Sequence, residues 1–251
     1  MKPLALLAND DGHFSEGIRI LREVLLQDFD VVLLAPETEQ SAASHALSLH
    51  RPLRLKKLEP GIFTLDGTPA DCVYVALHAG DRVLPRMPDV VVSGINRGLN
   101  LGQDAFYSGT VAAAREAALR GIPSLAASAE IGSDLSAVAK LSSTLATRLL
   151  NEKARERALV SLNVPKAWNN EVRAARLGKR HYEEELFFRT DPRGREYLWL
   201  GGPGVKHEDD PGSDTDLFDR GYATLTSLDL DLTSRDDGGL AALLSGETLR
   251  Q

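Results

Sequence analysis

The hydrophobic positions in the first two thirds of the chain follow two alternating patterns. Short apolar runs without polar alternation, which are typical of strands covered on both faces, predict strands at residues 4–8, 31–35, 89–93, 124–128 and 159–164. Apolar residues at helical spacing predict helices at 16–27, 70–79, 111–120 and 135–150. Two further short strands, at 52–55 and 62–65, flank a turn. This alternation predicts an α/β fold with a doubly wound, Rossmann-like and mostly parallel sheet over residues 1–165.

The pattern changes after residue 165. Two apolar segments at 184–189 and 196–200 flank the turn Asp191-Pro192-Arg193-Gly194, which predicts an antiparallel hairpin. A helical turn at 216–220, a strand at 222–228 and a terminal helix around 239–244 are predicted to follow. We therefore expect an α/β core at 1–165 and a C-terminal extension at 166–251 that carries a hairpin arm.

Composition indicates an ordinary globular protein, with 43% hydrophobic and 26% charged residues. The net charge of -7 opposes non-specific binding to nucleic acid, so we expect no nucleic-acid partner. No apolar run approaches the roughly 20 residues of a membrane span, and no signal-peptide pattern precedes the first strand. We therefore expect no membrane association and a cytoplasmic protein. The single cysteine, Cys72, is expected to be a small core residue.

Polar side chains follow the first predicted strand directly. Asn9, Asp10 and Asp11 come after the apolar run and are followed by Gly12, which favours a sharp turn. Open parallel sheets bind their ligands at the carboxyl edge of the strands, where these side chains are expected. Two adjacent carboxylates repel each other and suit a place where a cation offsets their charge. The alternative is a solvated acidic turn that caps a helix, and the strand end alone does not decide between the two.

Two further loops, at 39–44 and 93–110, are predicted at the same edge of the sheet. With the first loop they offer oxygen atoms from Asp10, Asp11, Ser41 and Asn96. Such a set suits a hard divalent cation such as Mg²⁺ or Mn²⁺ and suits zinc poorly. The histidines lack metal-ligand spacing and are expected to be surface or loop residues, although His45 belongs to the loop that we predict over the site; they include His13, His45, His50 and His78.

A candidate anion site lies at Ser108-Gly109-Thr110, immediately before a predicted helix. Free backbone N–H groups and the helix dipole at such a position attract a phosphate group. A plain Ser or Thr helix cap is the alternative, and it is common. The glycines of 94–98 do not form the Gly-x-Gly-x-x-Gly pattern of dinucleotide-binding proteins.

Several motifs together resemble the SurE (survival protein E) family. They are Asn9-Asp10-Asp11-Gly12, Ala35-Pro36 with Gln40-Ser41, the stretch 67–73, Ser93-Gly94-Ile95-Asn96 with Gly98, Asn100, Gly102 and Asp104, and Tyr107-Ser108-Gly109-Thr110-Val111. Gly221-Tyr222 and Asp231-Leu232-Thr233 extend the resemblance over nearly the whole chain. The sequence departs from the family pattern at Ala8, where Thr or Ser is frequent, and at Ala42, where Gly is common.

The resemblance implies a metal-dependent phosphatase, or 5'-nucleotidase, that acts on nucleoside 5'- and 3'-monophosphates and extends to short polyphosphate. It implies one divalent ion, Mg²⁺ or Mn²⁺, on Asp10, Asp11, Ser41 and Asn96. Asn100, Ser108, Gly109 and Thr110 match positions that line the phosphate site, and Asp10, Asp11, Asn100 and Ser108 are the expected catalytic residues. The family also implies a homodimer or homotetramer in which C-terminal arms are exchanged between subunits.

Magnitudes favour a mechanism in which the cation contributes much of the catalysis. Hydrolysis of phosphate monoesters requires accelerations of up to about 10²¹, whereas one positioned acid or base supplies only about 10² to 10⁴. Whether Asp10 or Asp11 also acts as base or nucleophile stays open. A phospho-aspartate phosphatase does not fit, because its Asp-x-Asp pattern is interrupted by Gly12. A non-catalytic module that senses nucleotides is the remaining alternative.

Overall fold

A computed structural model of the chain describes residues 2–151, 158–182, 185–201, 204–233 and 244–245. Its strands are β1 (Leu4–Ala8), β2 (Asp30–Pro36), β3 (Leu55–Glu59), β4 (Ile62–Leu65), β5 (Val90–Arg97), β6 (Ser124–Ala129), β7 (Leu159–Val164), β8 (Val172–Ala175), β9 (Arg180–Tyr182), β10 (Leu186–Thr190), β11 (Glu196–Leu200), β12 (Val205–His207) and β13 (Ala223–Leu228). Its helices are α1 (Glu16–Leu25), α2 (Pro69–His78), α3 (Asp104–Tyr107), α4 (Gly109–Leu119), α5 (Leu135–Asn151) and α6 (Asp214–Asp219).

The main sheet has nine strands in the order β3-β4-β2-β1-β5-β6-β7-β13-β8. The six strands from β4 to β7 in that order run parallel. The chain moves outward from β1 to β2 and later returns to place β5 on the other side of β1. The carboxyl ends of β1 and β5 therefore meet at the point where the strand order reverses, which is the usual place for a ligand in an open α/β sheet. The predicted doubly wound, mostly parallel α/β fold is confirmed.

Both faces of β1 are buried, which explains its unbroken apolar run. Ala5 and Leu7 pack into the cluster that contains residues of α1 and α5, such as Ile18 and Val138. Leu4, Leu6 and Ala8 pack into a second cluster, which contains residues of α2 and α4 such as Cys72, Val73 and Ala113. Cys72 is a buried core residue, as the sequence predicts.

Several predicted boundaries are wrong by a few residues. The strand predicted at 52–55 lies instead at Leu55–Glu59, because it is an exposed edge strand whose Lys56 and Lys57 conceal it in the hydrophobic pattern. The third buried strand does not end at residue 93 but continues to Arg97, so Asn96 belongs to β5 and not to a loop. The helical turn predicted at 216–220 begins earlier, at Asp214, because the side chain of Ser213 caps it by accepting a hydrogen bond from the backbone of Asp216.

The segment after residue 165 contributes to the main sheet and also forms a separate ribbon. β13 pairs antiparallel with β7, and β8 adds a further parallel strand beside it. The predicted hairpin is confirmed, and its strands are Leu186–Thr190 and Glu196–Leu200. Except at Leu244, the terminal helix predicted around 239–244 lies outside the described residues. Within the part of the chain that the structure describes, no helix is both long and apolar enough to cross a membrane.

Candidate active site

The three predicted loops meet at the carboxyl edge of β1 and β5. The backbone N–H of Gln40 donates to the carbonyl of Asp10 at 2.8 Å, and that of Ser44 donates to the carbonyl of Tyr107 at 2.9 Å. These contacts join the loop after β2 to the end of β1 and to the segment before α4. A cavity of about 330 Å³ lies between the loops, and its lining includes Asp10, Ser41, Asn96, Asn100 and Ser108.

Asp10 is the most enclosed of the candidate ligands, with 4% of its surface exposed. The hydroxyl of Thr110 donates to its Oδ1. Burial raises the pKa of Asp10 to about 6, and the neighbouring charge of Asp11 adds to the rise, while the hydrogen bond from Thr110 opposes it. A cation next to this buried carboxylate would offset the like charge of Asp11 and favour the ionised form.

Asp11 points to the other side of the strand end and lies against β5. It accepts a hydrogen bond from the backbone N–H of Arg97 at 3.2 Å. Burial raises its pKa, and the nearby carboxylate of Glu39 adds to the rise. Asp11 also lines a second and larger cleft next to the first cavity.

Ser41 and Asn96 present oxygen atoms to the same cavity. The Ser41 hydroxyl donates its proton to Oε1 of Glu39 at 2.7 Å, which leaves the lone pairs of Oγ for another partner. The amide nitrogen of Asn96 donates to the carbonyl of Gly98 at 3.1 Å, so its oxygen is the atom left to bind a cation. Ala42, at the position where the family commonly has glycine, adopts a φ of 58°, a region that glycine occupies with less strain.

Asn100 is held between β5, β6 and β7. Its backbone N–H donates to Oδ1 of Asn163 at 2.7 Å, and the Asn163 amide returns a hydrogen bond to the Asn100 carbonyl at 3.3 Å. One N–H of the Asn100 side chain donates to the Ser128 hydroxyl at 2.8 Å. The second N–H of the same amide is the group that could reach a phosphate oxygen.

The start of α4 closes the cavity opposite the end of β5. Ser108 is the N-cap of α4, and its hydroxyl oxygen accepts a hydrogen bond from the backbone N–H of Val111 at 3.0 Å. The alternative of a helix cap is therefore correct for Ser108. Ser108 also lines the cavity. A Cβ on Gly109 would lie 2.9 Å from the Cβ of Asp10, so only glycine lets the helix approach the carboxylate this closely. Both the hydroxyl and the backbone N–H of Thr110 donate hydrogen bonds to the Asp10 carboxylate.

Comparison with known proteins shows which family shares this fold and these motifs. Residues 5–184 match the family model described as survival protein SurE. This chain belongs to the SurE family. The 5'-nucleotidase SurE of Sorangium cellulosum (strain So ce56) is 55% identical over 251 residues, which cover 98% of this chain and 97% of that protein. The 5'-nucleotidase SurE of Anaeromyxobacter dehalogenans (strain 2CP-1 / ATCC BAA-258) is 47% identical over 91% of this chain and 90% of its own length.

A solved structure shows the same architecture. The crystal structure of the SurE protein from Aquifex aeolicus superimposes with a TM-score of 0.81 at 36% sequence identity. The match covers 97% of this chain and all of that chain. The resemblance seen in the sequence motifs is therefore confirmed over nearly the whole length.

The donor set of this SurE site fits a hard divalent cation. Asp10, Ser41 and Asn96 line one cavity, whereas Asp11, which the sequence groups with them, lines the adjoining cleft. The predicted ligands are therefore brought to one strand end but not into one cavity, and no thiolate or imidazole is among them. Among the described residues, no group of three or more His, Cys, Asp or Glu side chains could hold a metal. A cation here would therefore depend on Ser41 and Asn96 as well as on the aspartates.

Residues from distant parts of the chain complete the SurE site, and sequence reasoning missed several of them. Glu39 accepts the Ser41 proton, and Asn163 fixes the backbone of Asn100. Tyr182 donates its phenol proton to Asp104 at 2.6 Å and lines the smaller cavity. No local pattern indicates Asn163 or Tyr182. Glu39 directly precedes the Gln40-Ser41 motif, and this adjacency is the sequence signal that could have identified it as a site residue.

His45 does not line the cavity of the candidate cation ligands and instead links two elements of the site. Its Nε2 is 2.8 Å from Oε2 of Glu116, a residue of α4 with 2% of its surface exposed. Glu116 also pairs with Arg120 at 3.0 Å. The loop that carries Ser41 is thus attached to the helix whose first turn closes the cavity.

Proposed function

We propose that this SurE protein is a metal-dependent phosphatase that hydrolyses nucleoside 5'-monophosphates to nucleoside and phosphate. The observation that carries the proposal is the convergence of Asp10, Ser41 and Asn96 on one cavity with Asn100 and the first turn of α4. Oxygen ligands for a cation thus stand beside groups that donate hydrogen bonds to an anion. Two similar proteins that match over nearly their whole length are named 5'-nucleotidase SurE, which supports the same activity.

The residues divide into two groups in this proposal. Asp10, Asp11, Ser41 and Asn96 would hold one Mg²⁺ or Mn²⁺ ion. When bound, the ion supplies charge neutralisation at the phosphoryl group and lowers the pKa of a water molecule. Asn100, Ser108 and the first turn of α4, at Gly109 and Thr110, would hold the phosphoryl oxygens and stabilise the charge that develops on them.

The chain's own geometry keeps the second group ready for an anion. Ser108 receives a hydrogen bond from Val111, so its own proton is directed elsewhere. The reciprocal contacts with Asn163 fix the backbone of Asn100. Donors held in place before the substrate arrives need no reorganisation during the reaction, which is the main source of electrostatic catalysis.

The family resemblance also implies activity on 3'-monophosphates and short polyphosphate, and an oligomer with exchanged arms. We keep nucleoside 5'-monophosphates as the proposed substrates, because the names of the relatives support them directly. A module that only senses nucleotides would not require two adjacent carboxylates at the phosphate site, since they repel an anion unless a cation lies between.

The test is phosphate release from AMP. We expect release with added Mn²⁺ or Mg²⁺ and none in excess EDTA, because the proposed ligands are oxygens that bind these ions reversibly. Activity should return when the ion is restored. Full turnover in excess EDTA would contradict the metal requirement, and AMP binding without phosphate release at any metal concentration would favour the sensing module.

A further inference from the structure

A second cleft of about 910 Å³ adjoins the cavity just described. Arg97 lines both spaces, and Asp11 faces the larger one while Asp10 faces the smaller. The larger cleft runs from this strand end toward the segment 129–135, between β6 and α5. If a phosphate binds in the smaller cavity, a group attached to it that points toward Asp11 would therefore enter the larger cleft.

The larger cleft contains an apolar ring that the protein core does not use. Phe14 is 68% exposed and lines the cleft. Its ring lies over the Gly12 backbone, where a Cβ would come within 3.2 Å of a ring atom, and it contacts His13 edge to face at 5.3 Å. These contacts hold the ring in place while the rest of its surface stays open. Ile131, also exposed, adds a second apolar group to the lining.

The charges around this cleft are mainly negative. Its lining contains the carboxylates of Asp11, Glu16, Glu39 and Glu130 against the guanidinium of Arg97. Glu39 uses Oε1 to accept from Ser41, and Glu130 uses Oε2 to accept from the backbone N–H of Lys166 at 2.7 Å. Such a lining repels further phosphate groups, whereas carboxylate oxygens accept hydrogen bonds readily from neutral hydroxyl groups.

We propose that the larger cleft binds the nucleoside part of the substrate, with the base stacked on Phe14 and the ribose hydroxyls directed to Glu39 and Glu130. This inference rests on the proposed function and adds the position of the nucleoside, which is the leaving group of the reaction. The volume fits, because ligand pockets usually measure about 300–1,000 Å³. Stacking on an aromatic ring accepts every base, so AMP, GMP, CMP and UMP should differ by less than about 100-fold in kcat/KM.

The first experiment compares AMP with ribose 5-phosphate, which has the same phosphate and sugar but lacks the base. Loss of base stacking in Phe14→Ala should raise the KM for AMP about tenfold, within the range that stacking supplies. The KM for ribose 5-phosphate should change less than about twofold, since that substrate has no base to stack. Phe106→Ala is the matched control: Phe106 is also exposed but lines neither space, so both substrates should behave as with the wild type.

A second measurement does not depend on turnover. Calorimetric titration with adenosine should show binding to the wild type and to Phe106→Ala, and binding at least about tenfold weaker to Phe14→Ala. If the wild type hydrolyses AMP and ribose 5-phosphate but Phe14→Ala treats AMP normally, the nucleoside site is wrong and the proposed function stands. If the wild type hydrolyses neither substrate with Mn²⁺ present, the proposed function is wrong, and Phe14-dependent adenosine binding would still support the cleft as a nucleoside site.

Discussion

Asp10 and Asp11 are neighbours in the sequence but meet different surroundings. Asp10 contacts the first turn of α4 through Thr110, whereas Asp11 contacts β5 through the backbone of Arg97. The pair thus joins the helix that would bind phosphate to the strand that carries Asn96. Removing either charge should weaken the binding of the proposed cation, which both carboxylates would share.

We expect Asp10→Asn and Asp11→Asn to lower kcat for AMP by at least about 100-fold, the loss that follows removal of one preorganised electrostatic group at an active site. Circular dichroism should show an unchanged fold, because asparagine keeps the shape of the side chain. Asp81→Asn, at an exposed position away from the site, is the control and should retain wild-type activity. Normal Mn²⁺ binding and turnover by Asp11→Asn would show that the pair is only a solvated acidic turn.

The pKa of Asp10 gives a pH dependence with a defined sign. Burial raises this pKa from 3.8 to about 6, so between these values the folded protein binds more protons than the unfolded chain. Without a divalent ion, stability should therefore fall as the pH rises through this window. A cation binds the ionised carboxylate and offsets its charge, so Mn²⁺ should raise the Tm more at about pH 7.5 than at about pH 5. Thermal unfolding with and without Mn²⁺ measures this, and an equal gain at both pH values would contradict it.

Sequence reasoning at the residue scale identified side chains at or after the carboxyl ends of β1, β2 and β5. Asp10, Ser41, Asn96 and Ser108 all line one cavity, because the carboxyl ends of adjacent parallel strands share an edge. It could not identify Asn163, which lies 63 positions from Asn100 along the chain. A single polar residue inside a buried strand carries no local signal of the partner it meets.

At the scale of elements, the approach of α4 to β1 decides the geometry of the site. The helix begins at Gly109, directly against Asp10, and the glycine also meets Pro69 of α2. A side chain at this position would push the first turn away from the carboxylate. The distance between the proposed cation and the proposed phosphate site therefore depends on the absence of a Cβ at Gly109.

We expect Gly109→Ala to raise the Mn²⁺ concentration needed for half-maximal activity and to lower kcat by about tenfold or more, because misplaced groups lose much of their catalytic effect. The stability cost should be about 1–3 kcal/mol, as for other overpacked sites. Gly80→Ala is a control for activity: the new Cβ meets no atom within 4 Å, and although the φ of 58° at Gly80 strains alanine and lowers stability, metal dependence and kcat should stay those of the wild type. Unchanged metal dependence in Gly109→Ala would show that the close approach does not matter for activity.

Elements buried on both faces were predictable, and exposed or very short ones were not. The central strands and their covering helices produce clear apolar patterns because each side chain faces a core cluster. The edge strand β3 was misplaced, and the short elements α3, β8, β9 and β12 were missed. The four missed elements are only three or four residues long, and most of their side chains are exposed, so they contain too few positions for a hydrophobic period to be recognised.

At the scale of the whole molecule, the ribbon of β10 and β11 exposes aromatic side chains on one face, at Tyr197 and Trp199, and a more continuous apolar surface on the other. The register pairs Leu186 with Leu200 and Phe188 with Leu198, so these four side chains share a face, and all are exposed. An isolated two-stranded ribbon is marginally stable in water. An exposed apolar face of this kind indicates a site for another protein surface, and a second copy of the chain is the partner that the family resemblance implies.

We therefore expect the full chain to form at least a homodimer through this face, and light scattering after size exclusion at micromolar concentration measures its mass. Leu198→Glu places a charge at the centre of the face, and burying that charge in an interface would be unfavourable, so the variant should shift toward the monomer. Leu58→Glu is the matched control, because Leu58 is a similarly exposed leucine in the edge strand β3, at the other end of the main sheet. Both variants should keep the circular dichroism of the wild type, since the two positions are exposed. A wild-type chain that is monomeric at these concentrations, or a Leu58→Glu variant that dissociates as readily as Leu198→Glu, would contradict assembly through this face.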